Sequence, residues 1–138
     1  RMVRANITKY LGIPHSYEAG LNCITIIHEF YKKELNIDCI QELIPSNITN
    51  SRWMKEFSLE DIDGWALKHG IKVTLTDIQD YDVILFKSKK LNRPIHFGMF
   101  LLPYNMLHLE EGSHSRYELI NTYWTDCIHS AYRHRSLV

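Results

Sequence analysis

One cysteine and two histidines are the residues of this chain best placed to do covalent chemistry. Cys23 sits in Gly20-Leu21-Asn22-Cys23-Ile24-Thr25-Ile26-Ile27-His28, where a turn signal is followed by a long apolar helical pattern. Asn22 is a capping residue, which leaves Cys23 in the first helical turn. The free N–H groups there favour an anion, so a lowered thiol pKa is expected at Cys23. The second stretch runs from Pro94 to His108 and reads as a hairpin with a histidine near each outer end, His96 and His108. A turn centred on Leu102 and Pro103, with residue 102 as its midpoint, would set position 96 opposite 108 on one face. A cysteine, a histidine and a third polar residue that orients the imidazole are what a thiol nucleophile needs. Two other readings of the same residues stay open. Cys23 could be a small apolar side chain filling the core, and Cys23, His96 and His108 could together hold a zinc ion.

The elements that must position these residues follow from periodicity. Ile24, Ile27, Tyr31 and Leu35 recur at helical spacing, with Ile26 and Phe30 widening the same face, so a buried helix is expected from Cys23 to about Leu35. Asn36 and Asp38 mark its end. Before it, residues 2 to 10 read as a short helix ended by Gly12 and Pro14. After it come a short turn at Ile40 to Leu43, a polar loop from Ser46 to Ser51, and an apolar cluster of Trp53, Met54 and Phe57. Ser58-Leu59-Glu60-Asp61 resembles a capping box and opens a helix from about 59 to 69, with Gly70 as its stop. From Ile71 the period becomes two, and Ile71, Val73 and Leu75 define a half-buried strand. Val83 to Phe86 has the continuous apolar character of a central strand, and Lys87 to Arg93 is a solvated basic loop. The histidine hairpin and strands at Arg116 to Ile120 and Ile128 to Arg133 complete the order. Helices first and a meander afterwards describe an α+β domain, with helices packed on one side of an antiparallel sheet. Nucleophile and base then meet at the seam between the two halves.

Composition narrows the field of partners. The 138 residues suit one domain, and 16 basic residues balance 16 acidic ones, so no overall field draws the chain to nucleic acid or an anionic membrane. The three cysteines, Cys23, Cys39 and Cys127, lack metal-type spacing and are odd in number, which points to reduced thiols and synthesis in a cytoplasm. No apolar run approaches the roughly 20 residues of a membrane span, and no secretory leader opens the chain. A soluble domain that needs no cofactor is expected. Because position 1 is Arg, a piece of a longer polypeptide is also expected.

Over most of its length the chain resembles the NlpC/P60 cysteine peptidases, and among them the domains of phage tail-tip proteins. Tyr10-Leu11-Gly12-Ile13-Pro14-His15 is similar to their opening, and Asp82-Val83-Ile84-Leu85-Phe86 to the strand before the catalytic histidine. His96-Phe97-Gly98-Met99-Phe100 and Met106-Leu107-His108 resemble the histidine strand and its partner. The resemblance implies a papain-like fold, with Cys23 as nucleophile, His96 as base and His108 as the residue that orients it. His15 occupies the place of the family's oxyanion tyrosine, with Tyr17 close enough to take that role. It further implies stem-peptide amides of peptidoglycan as substrate, at bonds next to a diaminopimelate residue. The implied setting is a phage tail or virion, with other tail-tip proteins as partners after synthesis in the host cytoplasm. The chain departs from the family at Asn22, where Asp is usual, and at Ile24-Thr25, where a Ser-Gly pair is usual. A structural tail-tip component without hydrolytic activity is the alternative.

Overall fold

Asn22 sets where the first long helix begins. In a computed structural model of the chain, which describes residues 6–38 and 53–138, its Oδ1 accepts the backbone N–H groups of Ile24 at 2.9 Å and Thr25 at 3.1 Å. Thr25 Oγ1 accepts the N–H of Asn22 in return, at 2.8 Å. This reciprocal capping box opens α1, Cys23–Glu34. Thr25, one of the departures from the family pattern, thus has a local structural task. Ile26, Ile27, Phe30 and Tyr31 are buried on the face of α1 that meets Met99, Leu101 and Leu107 of the sheet. The helix gives way at Asn36, whose φ of 56° is a left-handed value that asparagine tolerates better than most residues. The expected turn at 40–43, the loop at 46–51 and Cys39 lie outside the described residues. So does the start of the helix expected at 2–10, of which a single 3-10 turn, Thr8–Tyr10, is described.

Two further helices precede the sheet, α2 at Trp53–Glu56 and α3 at Leu59–His69. The Ser58–Asp61 capping box forms as expected, with both of its bonds at 3.0 Å. The strands are β1 (Gly70–Val73), β2 (Val83–Lys87), β3 (Pro94–Leu101), β4 (Asn105–His108), β5 (Arg116–Leu119) and β6 (Ile128–His134). They form one antiparallel sheet in the order β1-β6-β2-β3-β4-β5. The last strand returns between β1 and β2, so the meander is interrupted. Ile84, Leu85 and Phe86 are fully buried in β2, as their unbroken apolar run requires.

The α+β architecture stands, but the helices do not all lie on one face. A short helix that the sequence pattern did not separate from its surroundings, α4 at Thr122–Cys127, starts on the Asn121 side chain. Its Trp124 and Cys127 pack with Ile84, Phe86, Phe100 and Met106. Those residues alternate along their strands with Leu85, Met99, Leu101 and Leu107, which pack with the helical side, so α4 covers the opposite face of the sheet.

Gly70 also differs from expectation. It adopts extended angles, φ −166° and ψ −157°, and so is no left-handed helix stop. Its need is for space, because a Cβ there would lie 2.1 Å from the carbonyl oxygen of Arg133 on β6. The strand it opens ends at Val73, and as an edge strand it leaves Ile71 exposed, with Leu75 exposed beyond its end. Gly70→Ala should therefore lower unfolding stability by roughly 2 kcal/mol or more. Urea denaturation checks this, and a change under 0.5 kcal/mol (of the order of an ordinary surface substitution) would contradict the close approach.

Candidate active site

The hairpin that carries the histidines closes differently from expectation. Met99 pairs with Leu107, Phe100 with Met106 and Leu101 with Asn105, which centres the turn on Pro103. Extending that register sets Gly98, and not His96, opposite His108. His96 is the diagonal neighbour on the same face, within reach of a long side chain. His96 Nε2 lies 2.8 Å from His108 Nδ1. A Cβ at Gly98 would meet Met106 Sδ at 2.6 Å, so the packing of Met106 on this face needs a glycine there.

Beyond His108 the polar chain continues into residues that the sequence reading did not single out. His108 Nε2 lies 2.7 Å from Glu118 Oε1. Arg116 Nε is 3.2 Å from the other oxygen of Glu118, and Arg116 Nη2 donates to Glu110 at 2.8 Å. A third donor of Arg116 reaches Ser113 Oγ at 2.6 Å. The signal for them was alternation. In a strand over 116–120, Arg116 and Glu118 point to one face, and β5 pairs His108 with Arg116 and Met106 with Glu118.

Trp124 of α4 covers the two imidazoles, which are buried. Its ring lies 4.9 Å from that of His96 at 31°, and 5.7 Å from that of His108 at 82°. Phe86 adds a third aromatic wall, 5.8 Å from His96. Burial lowers the pKa of His96 well below the ordinary histidine value, and the positive charges that His108, Arg116 and His15 can carry push the same way. Burial also lowers His108, although Glu118 opposes it. Burial pushes Glu118 up, but hydrogen bonds from Arg116 and His108 outweigh that and hold its carboxyl below the usual range. At neutral pH the chain is therefore two neutral imidazoles ending on a carboxylate.

Cys23 occupies the first position of α1, as expected, but its chemistry is not the one the helix terminus alone predicts. It is 5% exposed and packs with Ile24, Leu59, Ile62, Leu85 and Tyr132, flanked by Met54, Phe57 and Phe97. Burial pushes its pKa up to about 12, against the opposing pull of the backbone N–H groups of Phe97 and of Cys23 itself. The expected depression is thus overturned, because desolvation of a thiolate outweighs the field of a few N–H groups. The bond from the Phe97 amide places the thiol beside the His96–Phe97 peptide of β3.

His15 and Tyr17 come together, ring edge to ring face at 4.5 Å. The His15 N–H bonds Ser113 O at 3.0 Å, which ties this segment to the loop before β5. His15 acts electrostatically on His96, and Cys23 on Tyr17, whose hydroxyl pKa is pushed up to about 12 first by burial and then by Glu111. The structure thus brings all five sequence candidates to one end of the sheet, with Glu118, Arg116 and Trp124 added. Among the described residues no three His, Cys, Asp or Glu side chains converge on a point where a metal could be held. His96 Nε2 and His108 Nδ1 are spent on each other. Among the described residues, too, no helix is long and apolar enough to cross a membrane.

A capped helix bearing a cysteine packs on an antiparallel sheet that bears a histidine pair, an α+β architecture. Solved structures of NlpC/P60 proteins resemble it. A protein of that family from Bacillus cereus ATCC 10987 superposes with a TM-score of 0.62 at 19% identity, covering 90% of this chain and 36% of the other. A protein described as similar to lipoprotein, NLP/P60 family, from Staphylococcus aureus subsp. aureus Mu50 gives a TM-score of 0.58 at 20% identity, with 91% and 37% covered. The chain has their fold and spans little more than a third of either protein. It matches no protein-family model and no curated protein sequence.

The apolar cover over Cys23 makes a thiol measurement decisive. Leu59→Ala removes a buried neighbour and should speed iodoacetamide labelling of Cys23 at least several-fold, leaving the fully buried Cys127 slow. Mass mapping of each cysteine reads the result. Equal acceleration at both sites would mean global unfolding, and no acceleration at Cys23 would mean that Leu59 does not cover it.

Proposed function

We propose that this chain is a thiol hydrolase domain that cuts amide bonds of peptidoglycan stem peptides, next to a diaminopimelate residue, as part of a phage tail tip. The observation that carries the reading is the use of His96 Nε2 by His108. That bond fixes the ring and leaves Nδ1 as the nitrogen able to accept a proton from the Cys23 thiol. The likeness to NlpC/P60 folds supports the substrate class.

The chemistry follows from the positions. The Cys23 S–H proton passes to His96 Nδ1 as the sulfur attacks the amide carbonyl, and the tetrahedral intermediate carries its negative charge on oxygen. Asn22 engages the N–H groups of Ile24 and Thr25, so the N–H of Cys23 is the one turned to the reacting centre, where it stabilises the oxyanion. His15 and Tyr17 border the same place and offer a second donor. His96 then gives its proton to the leaving amine, and water, deprotonated by the same nitrogen, releases the acid and restores the thiol. Because burial favours the neutral thiol, the pair works as thiol plus base, with proton transfer accompanying attack.

The burial of Cys23 favours a second reading, a structural tail-tip component that keeps the fold without hydrolysis. In both readings the partners are other tail-tip proteins and the location is the phage tail, after synthesis in the host cytoplasm. The two separate in a digestion assay on purified peptidoglycan, comparing the chain with Cys23→Ala. The hydrolase reading expects soluble muropeptide release that Cys23→Ala abolishes. Equal release by both forms, or none by either, would overturn it.

A further inference from the structure

The polar chain on the sheet has a direction, and the direction is set at its far end. Glu118 meets His108 Nε2 at 2.7 Å through one oxygen, and its other oxygen is engaged by Arg116 Nε. Arg116 is itself held by Glu110 and Ser113. An ionised carboxylate can only accept. His108 must therefore carry its proton on Nε2, which makes Nδ1 an acceptor. Its partner at 2.8 Å, His96 Nε2, must then be the donor. The remaining nitrogen of His96, Nδ1, is left with a lone pair.

We infer that Glu118 is the positioning residue of this site: by accepting from His108 it orders the protons of both imidazoles so that His96 keeps a basic Nδ1, the nitrogen that the proposed hydrolase reading assigns to the Cys23 proton. This rests on the proposed hydrolase reading for its catalytic meaning, but the proton order itself does not. The reverse order would put a proton on His96 Nδ1 and remove the base. Trp124, which covers the rings, offers His108 Nε2–H no competing acceptor, because its indole N–H can only donate. The anchoring of Arg116 by two further groups explains how a partly exposed carboxylate keeps one rotamer. The charged or titratable groups that face the pair are Glu118 and Arg116 of β5, Glu110 of the preceding loop and His15 of the N-terminal segment.

The test is imidazole ¹⁵N NMR on histidine-labelled protein at pH 7, which distinguishes a protonated from an unprotonated ring nitrogen. In the native chain His96 and His108 should both be protonated at Nε2 and bare at Nδ1. In Glu118→Gln the side-chain amide can donate to His108 Nε2, and both rings should acquire an Nδ1–H population. Glu118→Asp, which keeps a carboxylate, should restore part of the native pattern. If hydrolysis is present, Glu118→Gln should lower its rate roughly 10² to 10⁴-fold, the range of a lost general base. The rate loss should come with no matching change in KM. An Nδ1–H on His108 in the native chain would overturn the inference without any variant. An unchanged tautomer pattern in Glu118→Gln would also overturn it. Absence of hydrolysis in the native chain would overturn the hydrolase reading alone and leave the tautomer result to stand or fall separately.

Discussion

The bond between His96 and His108 exists only because several constraints of the sheet agree. The rings come from a diagonal pair, not an opposed one, and Gly98 on the same face makes room for Met106. Two imidazoles placed so close cannot both be charged, and burial under Trp124 makes even one charge costly. The pair is stable as neutral rings that share one proton between them, and it needs an acceptor beyond His108 to give that sharing an order. β5 provides it through Glu118, held by Arg116. Sheet register, an aromatic cover and a surface ion pair thus all act on one hydrogen bond.

The nucleophile answers to a different balance. At the start of α1 the cap leaves N–H groups whose field favours a thiolate, and the Phe97 amide adds to it. Against this stands almost complete removal from water by Leu59, Ile62, Tyr132 and their neighbours. Fields from a few dipoles are worth about one kcal/mol, whereas desolvating a small anion costs several. Burial wins, and both the Cys23 thiol and the His96 imidazole are held neutral. Any hydrolysis then couples two events, admission of substrate past the apolar cover and transfer of the proton to His96.

Much of this was legible in the residues. The cap at Asn22, the period of α1, the Ser58–Asp61 box and the continuous run of β2 are local signals, and local physics decides them. The pairing of His96 with His108 was legible as a shared face, since a shift of the turn centre from 102 to 103 converts direct opposition into a diagonal without moving either ring to the other side. What local signals could not show is what packs on what. Burial of Cys23 depends on α3 lying across it, and α4 is six residues long, below the length at which helical periodicity becomes visible. Gly70 looked like a helix stop because glycine serves two needs, and only the approach of β6 shows which one applies. Glu118 and Arg116 lay on an expected strand, and only the pairing of β5 beside His108 shows what they meet.

The central claim is that the sheet keeps His96 neutral and basic at Nδ1. The most direct measurement is a pH titration of His96 by NMR, assigned with His96→Gln, across pH 4 to 8. A free histidine gains its proton near pH 6.5. With burial and the neighbouring cations opposing the charge, His96 should remain neutral through that pH and titrate only well below it. A His96 that is protonated at pH 7, whether by pairing with a Cys23 thiolate or by solvent access, would contradict it.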